Sequence, residues 1–126
     1  MFAYAPKIYR DYLRPLLDDD IRITGDVPAT RPPRLVTVRL GTAPGSRKPR
    51  LLAWRRLVFQ MWDVDEMATG ALAEQVRDLV VNSVYARIGA RQVRVFGEPA
   101  RLDDPDDRAP RFQMTADVLF RANREP

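Results

Sequence analysis

Residues 51–81, LLAWRRLVFQMWDVDEMATGALAEQVRDLVV, change hydrophobic period partway along, and that change decides the fold class. Over 51–62, Leu57, Phe59 and Met61 fall on one face and Arg56, Val58, Gln60 and Trp62 on the other, the alternation of a strand. Beyond Trp62 the spacing lengthens: Ala68, Leu72, Val76, Leu79, Val80 and Val84 recur at helical intervals, while Glu74, Arg77 and Asp78 face water. Asp63 reads as the N-cap, with Glu66 three positions on completing a capping box, and Gly89 as the stop. A strand running directly into a long amphipathic helix calls for a sheet that the helix covers.

The flanking segments supply that sheet. Residues 35–40, LVTVRL, alternate with Val36, Val38 and Leu40 on one face and Leu35, Thr37 and Arg39 on the other. They pair with 51–62 in a hairpin whose loop, 41–50, is broken by Gly41, Pro44, Gly45 and Pro49 and exceeds what a tight turn needs. Surplus length there implies a contact role. RQVRVFG at 91–97 and RFQMTADVLFR at 111–121 are further strands. The second of these turns Phe112, Met114, Ala116, Val118 and Phe120 inward and Gln113, Thr115, Asp117 and Arg121 outward. An acidic, proline-rich loop at 98–110 joins them. Near the start, Ile8, Tyr12, Leu13, Leu16 and Leu17 share one side of a helix over 6–17 that Pro15 ends near Arg14, and IRIT at 21–24 is a short strand before Gly25. The expectation is an α+β fold. A mainly antiparallel sheet of four to five strands is covered by one long helix, with an N-terminal helix beside it, in a single domain over 1–126.

Composition narrows the chemistry. The 126 residues include no Cys and no His, which removes disulfides, thiolate chemistry, Cys-based zinc sites and the commonest general base and metal ligand. Catalysis would rest on carboxylates, Lys, Tyr, Ser or Thr, and a non-enzyme is expected. The net charge of +4 comes mostly from arginine, with lysine only at Lys7 and Lys48, and 17 acidic residues are interspersed. Arginine suits bidentate and desolvated interfaces, so this balance fits an assembling surface as well as a nucleic-acid one. No apolar run approaches membrane-spanning length, and the N-terminus MFAYAPKIYRDYL lacks a signal-peptide core. A soluble protein that remains where it is made is expected.

Several local patterns invite chemistry. Asp103, Asp104, Asp106 and Asp107 form an acidic cluster, but they lack the spacing, turn glycine and distal Glu of a calcium loop, and a solvated or electrostatic role is expected. The same holds for Asp18, Asp19 and Asp20. GTAPGS at 41–46 lacks the GK[ST] ending of a phosphate loop, and a strand rather than a helix follows it. Ser46 and Lys48 share that loop and do not read as a poised catalytic pair. Arg47, Lys48, Arg50, Arg55 and Arg56 are the candidate basic surface, close in sequence to Trp54 and Trp62. Their object is nucleic acid or the acidic loop at 103–107 of another copy, the latter an arrangement suited to ring assembly.

Three ordered stretches carry a resemblance: VPATRPPRLVTVRLGTAPGS at 27–46, RRLVFQMWDVDEMATGALAEQVRDLV at 55–80 and GEPARLDDPDDRAPRFQMTADVLFR at 97–121. Together they resemble the tail terminator proteins of long, non-contractile-tailed phages, especially those of actinobacteria. The shared elements fall on Pro33-Arg34, Trp62, Ala73 to Arg77, Pro105-Asp106 and Pro110-Arg111-Phe112, with the match spanning roughly residues 20–121. Gly41-Thr42, where relatives carry paired glycines, and Pro15 depart from the pattern. The resemblance implies a ring, commonly a hexamer, at the head-proximal end of the tail in a virion assembled in the host cytoplasm. Such a ring stops tube polymerisation. Its implied partners are other copies, the major tail tube protein and a head-completion protein, with DNA passing through the lumen without specific binding, no membrane and no cofactor. Another head–tail connector or tail-tube-like protein, or a small basic nucleic-acid-binding domain, is the alternative.

Overall fold

The computed structural model describes residues 1–45 and 48–122; Ser46 and Arg47, the latter a candidate surface cation, lie outside the described residues. The chain forms α1 (Ala5–Leu13), a 3-10 turn (Arg14–Leu16), β1 (Arg22–Thr24), β2 (Leu35–Gly41) and β3 (Leu52–Trp62). It continues through α2 (Glu66–Val81), a 3-10 turn (Asn82–Tyr85), β4 (Ala90–Arg101) and β5 (Arg111–Arg121). The strands make one sheet in the order β1-β2-β3-β5-β4, and both helices pack on one of its faces. The result is an α+β fold with a mixed sheet, antiparallel except where β1 runs parallel to β2. No helix among the described residues is long and apolar enough to cross a membrane.

The alternation in β3 and β5 sets the core. Register pairs Phe59 with Val38 on one side and Met114 on the other, and Leu57 with Ala116, so one face of three strands is continuously apolar. Those side chains join Leu72, Ala73, Val76 and Val80 of α2 and Tyr9 and Leu13 of α1 in a single buried cluster. Removing such area from water is the main favourable term in folding.

Several boundaries and faces differ from the sequence expectation, each for a local physical reason. The N-cap of α2 is Asp65 rather than Asp63: its carboxylate accepts from the Ala68 amide at 2.8 Å. Asp63 is occupied elsewhere, accepting from the Val64 amide and from Arg34. Asp65→Ala is expected to cost about 1 kcal/mol in a denaturant titration, as for other lost caps. The helix gives way at Asn82 to the 3-10 turn, and Gly89, with a φ of 92°, makes the bend into β4. In α1 the buried stripe is Ala5, Tyr9 and Leu13, continued by Leu17, while Leu16 lies exposed and Ile8 and Tyr12 only partly buried. The chain leaves α-helical geometry at Arg14, so the register expected for a longer helix does not extend to Leu16.

β4 runs on through Pro99 to Arg101, into what reads as loop in the sequence. Proline is tolerated because β4 is the edge strand, where the missing N–H need not meet a partner. Three register shifts against β5 interrupt that edge. Breaks of this kind blunt an exposed strand against unwanted pairing.

Candidate assembly surface

The face of the sheet away from the helices carries the residues that the core does not use, and it divides into two ends. At the Trp62 end it is covered. Leu35, Thr37 and Trp62 are fully buried although they lie outside the core cluster. Two loops account for this. The 102–110 loop brings Asp104, whose carboxylate accepts from the Trp62 indole N–H at 3.3 Å and from the Asp106 amide at 2.9 Å. The 25–34 loop brings Arg31, whose guanidinium lies over the Trp62 ring, as does that of Arg111. Arg31 also pairs with Asp107, joining the two loops. The Ala109 amide, and then Arg31, hold the Asp107 carboxyl below the usual carboxylate range.

The same end gathers further carboxylates. Arg34 bonds Asp20 at 2.8 Å, Asp18 at 3.1 Å and Asp63 at 3.2 Å. These contacts, Asp20's first, raise its guanidinium pKa above the ordinary value. One cation thus ties the segment before β1, the start of β2 and the β3–α2 junction together. Arg101 likewise bridges Glu66 and Asp103. The four aspartates of the acidic loop therefore have different uses. Asp104 and Asp107 pin the loop to its own sheet, Asp103 pairs with Arg101, and Asp106 has no side-chain partner among the described residues. No group of three or more acidic side chains among the described residues is placed to hold a metal ion.

Thr37, beneath this cover, has its hydroxyl buried without a hydrogen-bond partner among the described residues. Thr37→Val is expected to raise stability by about 1 kcal/mol, because it removes an unsatisfied polar group at constant shape. Equal denaturation midpoints for the two proteins would refute this.

The opposite end of the helix-free face is open and cationic. Strand alternation separates two candidates that adjoin in sequence. Arg55 points to the helix side over the Phe2 ring, and Arg56 points to the open side. There Arg56 makes two bonds to Asp117, at 2.7 and 2.9 Å, and covers the exposed Phe96 ring at 3.8 Å. The Asp117 bond raises the Arg56 pKa, and Asp117, on the outward face as its alternation predicts, is buried there. Arg94, opposite Asp117 in register, covers Trp54. Next to this row lies an open cleft of about 640 Å³ lined by Lys48, Arg50, Arg91 and Arg121 over Leu52 and Leu119. Among the described residues no carboxylate lines it, and none of its four cations has an ion pair.

Of the candidate cations, Lys48 and Arg50 thus reach a shared cleft, Arg55 and Arg56 are engaged within the chain, and Arg47 is not described. Arg91 and Arg121 were not singled out from the sequence. They sit near the start of one strand and at the end of another, and only the β4–β5 register brings them together. The fold and this surface define an α+β protein with a helix-backed mixed sheet and a helix-free face of divided charge. No protein-family model matches the chain, and no curated protein matches it in sequence.

Proposed function

We propose that this chain is a ring-forming tail terminator of a long, non-contractile phage tail. It caps the head-proximal end of the tail tube, stops polymerisation and offers a docking surface to head-completion proteins. The observation that carries this reading is the division of charge on one rigid sheet. A cleft whose cations have no ion pair among the described residues occupies one end of the helix-free face, and the acidic 102–110 loop covers the other. Eleven residues of β3 separate them, roughly 35 Å at the rise of a strand. One copy cannot bring its own ends together, whereas successive copies can, and head-to-tail contacts of that kind form a ring when the rotation between copies closes. The ordered resemblance of residues 27–46, 55–80 and 97–121 to tail terminators supplies the particular ring.

The test is polymerisation of the tail tube protein from the same phage, with and without this chain, followed by negative-stain imaging. Tubes of limited length bearing a ring at one end are expected. Binding to filled heads without any effect on tube length would instead identify another connector component. Unlimited tubes, together with monomeric protein that binds duplex DNA with a steep salt dependence, would replace the reading by a nucleic-acid-binding domain.

A further inference from the structure

The cleft lined by Lys48, Arg50, Arg91 and Arg121 brings four like charges together. Four exposed cations meet over an apolar floor, with no carboxylate among the described residues that line it. Such a surface fits a segment that brings carboxylates and little bulk. Stacked nucleic-acid bases fit it less well, since the neighbouring aromatic rings, Trp54 and Phe96, already carry Arg94 and Arg56 over them. Base stacking needs an aromatic face left uncovered.

At the other end of the sheet, the 102–110 loop presents a complementary group. Its base is anchored through Asp104 to Trp62 and through Asp107 to Arg31, so its tip is held in place. Asp106 stands exposed on that tip without a side-chain partner among the described residues, and Asp103 is nearly half exposed in a pair with Arg101. Surface pairs of that kind hold weakly and exchange readily for a better partner.

We propose that the basic cleft of one copy receives the 102–110 loop of the next, with Asp106 and Asp103 meeting Arg91, Arg121, Lys48 and Arg50. This rests on the ring reading above and names the contact that builds the ring. It makes the association heterologous, since each copy gives a loop and accepts one.

The test uses two double variants of the full chain, Arg91→Glu with Arg121→Glu, and Asp103→Lys with Asp106→Lys. Circular dichroism first establishes that both fold. Each alone is expected to need at least tenfold higher concentration than the wild type to assemble, by mass photometry. An equimolar mixture restores assembly, because the reversed cleft then accepts the reversed loop, and its rings hold an even number of subunits. A second measurement uses the absence of cysteine from the chain. Gln92→Cys and Asp106→Cys proteins, mixed and oxidised, are expected to give a disulfide-linked dimer that neither forms alone at comparable yield.

Wild-type-like assembly of both double variants, failure of the mixture to recover, or absence of the mixed disulfide would each overturn the proposed contact. The tail-terminator reading would still stand if the wild type caps tubes. A loss of duplex-DNA binding by the Arg91→Glu, Arg121→Glu variant with assembly unchanged would also overturn it, and assign the cleft to nucleic acid.

Discussion

Tyr9→Ala is expected to remove roughly 3–5 kcal/mol of folding stability, the range for truncating a fully buried aromatic. Tyr9 is completely inaccessible, and its ring meets Tyr12, Phe59 and Phe120 edge-on at centroid distances of 5.9, 6.0 and 6.1 Å. It therefore joins α1 to β3 and β5 through one side chain. Its hydroxyl lies 2.7 Å from Ser83 Oγ. Because Ser83 Oγ donates to the Val80 carbonyl, Tyr9 is the donor between them. Domains of this kind hold only about 5–15 kcal/mol in total, so the loss is a large share.

Tyr9→Phe separates the ring from the hydroxyl. It keeps the edge-on contacts and leaves Ser83 bonded to Val80, so a cost of only about 1 kcal/mol is expected. It also changes the alkaline limb of stability. Burial raises the Tyr9 phenol above the usual tyrosine range. The stabilisation is therefore complete below the unfolded value, about pH 10, and is lost as pH rises toward the higher folded value. Above pH 10 the unfolded chain releases a proton that the native state keeps, which lowers stability by up to about 1.4 kcal/mol per pH unit. Urea titrations at pH 8 and pH 10.5 should show a larger loss for the wild type than for Tyr9→Phe. Equal losses would sink the assignment of this limb to Tyr9.

Trp62→Ala carries the second large effect, again roughly 3–5 kcal/mol, by a different route. Tyr9 is held by helix and sheet, whereas Trp62 is buried by loops. Its removal takes away the surface on which Arg31 and Arg111 rest and the indole donor that anchors Asp104. The backbone bonds that close the loop, Asp104 N–H to the Ala109 carbonyl and Arg108 N–H to the Asp104 carbonyl, then lose their support. Hydrogen exchange at the Asp104 and Arg108 amides is expected to accelerate beyond the global change in stability. Trp62→Phe should lie between the two proteins, retaining an aromatic surface without the donor. If both amides exchange no faster than global unfolding predicts, the loop does not depend on Trp62.

The parts of this architecture legible in the sequence are those carried by local period. The two-residue alternation over 52–62 and 111–121 places Leu57, Phe59, Met114 and Ala116 on the core face, as in the structure. The helical spacing of Leu72, Val76 and Val80 likewise places them in the core. Where short-range signals compete, the reading slips. Two aspartates two residues apart both suit a cap, and Arg34, far away in sequence, engages one of them. Pro99 reads as a strand end because its edge position is a property of the assembled sheet.

The candidate surface was legible only in part. The basic run at 47–56 was visible, but alternation sends Arg55 and Arg56 to opposite faces, and Arg56 is committed to a residue 61 positions away. The acidic run at 103–107 was visible too. That two of its members hold the loop onto Trp62 and Arg31 was not.

By itself the sequence determined the kind of each main element and which side of β3 and β5 turns inward, because strand and helix periods are set by neighbouring residues. Only the tertiary structure decided the parallel seat of β1, the burial of Trp62 beneath two loops, the role of Tyr9 and the union of Arg91 with Arg121 beside Lys48. Each of these depends on strand register and on loops folding back across the sheet. Those are contacts between residues far apart in the chain, and no local pattern encodes them.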